Sequence, residues 1–93
     1  MANSIIKKTP FIKVIKGKYN IENGYTIIND SSINTDSVIV VTIHRGTDTI
    51  WELVARPWIV QDGSATVFFR NFDGSLPANG AKAILHIIIV GGG

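Results

Sequence analysis

Cysteine is absent from this 93-residue chain, which excludes disulfides, thiolate metal sites and a cysteine nucleophile. No apolar run approaches the ~18 residues of a membrane-spanning helix. The first eight residues hold only two adjacent isoleucines before their lysines, so a signal peptide is not expected either. Charged residues make up 17% of the chain against 45% apolar ones, a balance that suits a globular protein and not a disordered one. The net charge of +2 is too small to argue for nucleic acid. Histidine occurs only at His44 and His86, without ligand-type spacing, and Ser64 and Ser75 lack a nucleophile-elbow context. An enzyme is therefore not expected, nor a cofactor or a metal. A domain this small, with no staple, buries somewhat over ~60% of its unfolded surface and often turns to oligomerisation.

What the chain does have is β-branched residues in runs. Residues 81–90 contain four isoleucines and a valine around His86. That composition suits a long strand better than a helix. One side by period two reads Ala81, Ala83, Leu85, Ile87, Ile89, an unbroken apolar face. The other reads Lys82, Ile84, His86, Ile88, Val90 and is mostly apolar too. A strand with one wet face should alternate cleanly. This one is expected to lie centrally between layers, or to have its second face covered by another copy of the chain.

The rest punctuates itself into strands. Residues 11–15 alternate after Pro10 and close at Gly17, and Asn23-Gly24 turns the chain into residues 25–28. Residues 29–36 are a loop of Asx and Ser/Thr turn formers, with Ile33 expected to plug the end of the core. Residues 37–45 form the second long β-branched run and the natural neighbour of residues 81–90. After a turn at residues 45–48, residues 49–61 read as a strand that must bend, bulge or run along an edge at Pro57. Asp62-Gly63 is the strongest hairpin signal, read as a two-residue type I′ loop. It would pair Val60 with Ala65, Trp58 with Val67 and Arg56 with Phe69. Residues 71–80 are a turn-rich loop before the last strand. With no helical period, the expected fold is all-β, a small antiparallel β-sandwich of about six strands.

Five lysines and no acid lie in the first twenty residues, whereas residues 21–93 carry four basic residues against seven acids. Residues 1–20 are read as a basic N-terminal arm and first strand, and residues 21–93 as the sandwich domain. The lysines either guard an edge strand or dock the arm on an acidic partner, with residues 1–10 outside the sandwich. Oxygen-rich Asn71, Asp73, Ser75 and Asn79 suit plain turns, although such a loop also suits calcium. Trp51 and Trp58 have ring faces that suit a sugar, but at least one of them is expected in the core.

The order Ser37-Val-Ile-Val-Val41, Ile50-Trp51, Ala65-Thr-Val-Phe-Phe69 and the apolar stretch 84–90 resembles the small β-sandwich modules of bacteriophage tail and head fibres. It is similar, more faintly, to the H-type lectin fold, a six-stranded sandwich that trimerises. The resemblance implies a homotrimer that builds or decorates a virion. The expected function is thus a virion-associated structural or attachment module, with a lectin-type carbohydrate-binding module as the alternative. The expected partners are further copies of the chain, other virion proteins through the arm, and a cell-surface glycan. Outward-facing Val38, Val40, Thr42, Ile84, His86 and Ile88 are the interface candidates, a patch of roughly 500 Å2 with Val90. Protonation of His86 near the symmetry axis is expected to loosen the assembly below about pH 6. Trp51, Arg56, Trp58, Arg70, Asn71 and Asp73 are the ligand-binding candidates.

Overall fold

In a computed structural model describing residues 11–91, the β-branched runs all become strands. They are β1 (Phe11–Ile21), β2 (Tyr25–Asn29), β3 (Val38–His44), β4 (Leu53–Gln61), β5 (Ser64–Asn71) and β6 (Ala81–Gly91). The reading of residues 1–10 as an arm outside the sandwich falls beyond the described residues. Two three-stranded antiparallel sheets result, in the orders β1-β6-β3 and β2-β5-β4. The long apolar β6 is the middle strand of the first sheet, with β3 as its neighbour, but it does not lie between two layers: only its Ala83, Leu85, Ile87, Ile89 side meets the other sheet.

The two sheets share one core. Ala83, Leu85, Ile87 and Ile89 of β6 meet Ala65, Val67 and Phe69 of β5, and all seven are fully buried. Ile39, Val41 and Ile43 of β3 pack against this cluster from the edge. Ile33 is 2% exposed and closes one end. Around it the loop is tied to the β4–β5 turn by the Asp30 N–H to the Gly63 carbonyl and the Gly63 N–H to the Ile33 carbonyl, at 3.0 and 2.8 Å.

Two elements differ in extent from the sequence reading. β1 does not close at Gly17 but runs eleven residues, every one paired with β6. The Tyr19 ring lies over Gly17, so the missing side chain is replaced by a neighbour's. Residues 11–20 are thus part of the sandwich, and β1 is an edge strand with Lys13, Lys16 and Lys18 exposed. Residues 49–52 are not strand. They carry the chain from one sheet to the other, anchored by the Ile50 N–H to the Lys82 carbonyl at 2.8 Å.

The turns also sort themselves differently. At Asn23-Gly24 both φ values are positive, 55° and 82°, and Glu22 and Tyr25 exchange both backbone hydrogen bonds at 3.1 Å. That is the type I′ signature. Asp62-Gly63 is indeed a two-residue loop, since Gln61 pairs with Ser64. Positive φ is confined to Gly63, which matches a type II turn instead.

Candidate functional site

The β4–β5 hairpin builds its register outward from that turn. Val60 faces Ala65 and Ile59 faces Thr66, as two-residue-loop counting requires. The ladder then slips: Pro57, not Trp58, faces Val67, and Arg56 faces Phe68 instead of Phe69. Trp58 is the extra residue of a β-bulge. Proline has no N–H to contribute to a ladder, and a bulge on an edge strand is where that loss is tolerated. One extra residue reverses the side-chain parity of everything upstream. Leu53 and Ala55 therefore turn inward, while Val54 and Arg56 turn outward to join Phe68 and Arg70. The expected pairings of Trp58 with Val67 and of Arg56 with Phe69 are corrected accordingly. So is the expectation of a tryptophan in the core: Trp58 is 58% exposed and Trp51 38%.

The reversal makes a cleft of about 370 Å3 lined by Val54, Arg56, Trp58, Phe68 and Arg70. The Arg56 guanidinium lies 4.0 Å from the centre of the Trp58 ring, a cation–π contact. Arg70 is steadied by its Nη1, which donates to the Phe69 carbonyl at 2.9 Å. Phe68 is flanked by Tyr25 of β2, with ring centres 5.8 Å apart. Among the described residues neither guanidinium has a carboxylate within 4 Å; the ion pair found there joins Lys13 to Asp30 at 2.8 Å.

Trp51, Asn71 and Asp73 lie elsewhere. Trp51 and Asn71 border a second depression with Glu52, and Asn71 and Asp73 a third with Phe72. Arg45 sits over the Trp51 ring at 4.7 Å. The loop after β5 turns its oxygens on itself: the Ser75 hydroxyl and N–H donate to Asp73 Oδ1 at 2.6 and 2.9 Å, and Asn71 Nδ2 donates to Ser75 Oγ at 3.0 Å. These bonds from Ser75 hold the Asp73 carboxyl below its ordinary pKa. Among the described residues no three of His, Asp or Glu converge as a metal site would need.

The outer face of β1-β6-β3 has a different character. Register stacks it in rows across the three strands: Ile12, Val90, Val38, then Val14, Ile88, Val40, then Lys16, His86, Thr42, then Lys18, Ile84, His44. The first two rows are wholly aliphatic, with Ile12 71% and Val38 57% exposed. All six interface candidates do lie on this face, but they divide. Val38, Val40 and Ile88 belong to the aliphatic rows. Thr42, His86 and Ile84 belong to a polar half, where the end of Ile84 fills the space a Cβ on Gly46 would need. Sequence reading missed Ile12 and Val14. The outward side of β1 runs Ile12, Val14, Lys16, Lys18, apolar for one half and basic for the other, and the lysines drew it into an arm.

In the polar half His44 and His86 stack, with ring centres 3.5 Å apart and planes at 26°. Thr42 Oγ1 is 2.9 Å from His44 Nε2. Burial, then the charges of His44 and Lys16, pushes the His86 pKa down. His86 is thus packed against the other histidine.

Comparison with protein-family models, with curated proteins and with solved structures gives no match.

Proposed function

We propose that the protein is a structural or attachment module of the virion type, assembling as a homotrimer through the outer face of β1-β6-β3. The double row of Ile12, Val90, Val38, Val14, Ile88 and Val40 carries this reading. It amounts to roughly 400 Å2 of contiguous aliphatic surface, the size at which a monomer's largest patch is often functional. The rows contain no charge and no hydrogen-bonding side chain, so they suit permanent burial against an equally apolar surface. Another copy of the same face is such a surface, and closed symmetry brings identical patches together around one axis. The resemblance to bacteriophage fibre modules supplies the virion setting. Light scattering after size exclusion tests it: three times the 10.1 kDa chain mass is expected. A monomer overturns the reading, and a dimer keeps the face but overturns the trimer.

A second reading, a carbohydrate-binding module of lectin type, is favoured by the opposite face, where Arg56 lies over an exposed Trp58 inside an open cleft. A glycan array tests it, with hits expected for the natural chain and lost in Trp58→Ala.

A further inference from the structure

We infer that the cleft on the β2-β5-β4 face takes an acidic sugar, its carboxylate held by Arg56 and Arg70 and its ring set against Trp58 and Phe68. This rests on the carbohydrate-binding reading and is independent of assembly through the opposite sheet.

Charge is the first support. Register sets Tyr25, Ile27 and Asn29 of β2, Ser64, Thr66, Phe68 and Arg70 of β5, and Val54 and Arg56 of β4 on one outer face, with Trp58 in the bulge. There is no acid among them. Two guanidiniums on a face without acids, neither paired to a carboxylate among the described residues, call for an anion from outside. Arginine's planar fork matches a carboxylate with two parallel hydrogen bonds.

Order is the second. Arg56 is stacked on Trp58, and Arg70 is bonded to the Phe69 carbonyl. Neither long side chain has to be immobilised entirely at the ligand's expense, which favours binding. Because Phe68 stands directly opposite Arg56 and two residues from Arg70 on its own strand, both cations flank one aromatic floor.

Shape is the third. About 370 Å3 lies in the range of small-molecule sites and is enough for a single sugar residue. The walls offer flat apolar ring faces that suit the C–H face of a pyranose. The cleft is open, with Trp58 and Val54 more than half exposed, so one side of any ligand stays in water. A hydroxylated ring keeps that side hydrated, whereas a wholly apolar acid would leave apolar surface wet.

NMR titration of the full chain, following the Trp58 indole and the β4 and β5 amides, separates the outcomes. Four probes are used: glucuronate, N-acetylneuraminate, glucose and acetate. Saturable shifts confined to the cleft are expected with at least one acidic sugar, about tenfold or more tighter than with glucose or acetate. Arg56→Gln and Arg70→Gln should each weaken that binding by about tenfold, because each removes a charge-assisted contact. Unchanged amide dispersion away from the cleft shows that these surface variants remain folded. Glucose binding as well as both acids would overturn the acidic class and leave the carbohydrate reading standing. Acetate binding equally well would reduce the site to a simple anion site and overturn the inference. No shift with either acidic sugar would overturn the inference, while the glycan array decides the carbohydrate reading separately.

Discussion

Pro57 stands opposite Val67 in the β4–β5 ladder, while its neighbour Trp58 has no partner on β5. That one unpaired residue decides which side chains of β4 reach solvent. It also makes Trp58 dispensable to the ladder, because Ile59 faces Thr66 and Pro57 faces Val67 in regular alternation without it. Deleting Trp58 should therefore leave a folded sandwich, less stable by no more than ~1 kcal/mol, since a mostly exposed side chain is lost. Thermal unfolding of the deletion variant checks this. Loss of the cooperative transition would mean that the bulge itself holds the register.

The aliphatic rows make a second prediction. Val14 and Val40 flank Ile88 and are each about half exposed, so Val14→Asp or Val40→Asp should change the unfolding of the single chain only slightly. In the assembly each would place a carboxylate in an apolar contact, where an unpaired charge is strongly disfavoured. Light scattering should then read a single 10.1 kDa chain. Persistence of the oligomer in both variants would move the interface to another face.

His86 should make the fold and the proposed assembly acid-sensitive. Its folded pKa lies below the ordinary 6.5, first through burial and then through His44 and Lys16. As pH falls, the unfolded chain takes up the proton before the folded one. The stability is therefore fully present above about pH 6.5 and declines as pH drops below it. Lys16 across on β1 and Lys18 beyond it add positive charge to that half of the face, and His44 stacks on His86 from β3. Oligomer mass and urea midpoint, measured from about pH 7.5 down to about pH 5, should both fall. In His86→Gln the fall should be shallower, and an identical slope would remove His86 from the explanation.

Asp30 acts in a lower pH range. Its carboxylate accepts from Lys13 Nζ at 2.8 Å, and from the Ser32 hydroxyl and N–H, which together lower its pKa from 3.8 to about 2. Stability from a lowered carboxyl is present above the unfolded value and lost as pH falls through the folded one. With Lys13 half exposed and solvent-screened, Asp30→Asn should cost ~1 kcal/mol near neutral pH. That cost should disappear as pH falls from about 4 to about 2. Chemical denaturation of both proteins at several pH values tests the window.

Period-two patterning by itself determined much of this protein. The unbroken apolar side of residues 81–90 marked a strand laid against the core. Ile33 among polar turn formers marked a core plug, and Asp62-Gly63 located the hairpin and its loop length. Each of these follows from local composition, because burial, turn chemistry and strand pairing act within a few residues. The candidate site was legible only as a set of residue types. Arg56, Trp58 and Arg70 attract notice as cations and an aromatic, yet straight counting from the turn puts Arg56 and Trp58 on the opposite face from Arg70. Only the slip at Pro57 unites them, and sequence shows that a disturbance is due there but not on which side of it the extra residue falls. The aliphatic rows were half legible for a similar reason. Ile12 and Val14 complete them from a strand more than seventy residues away from β6 in the chain, and the antiparallel register of β1 on β6 alone sets those side chains beside Val90 and Ile88. Parity along a strand is a local property, whereas which faces coincide across strands is set by register, and register is decided when the whole sheet packs.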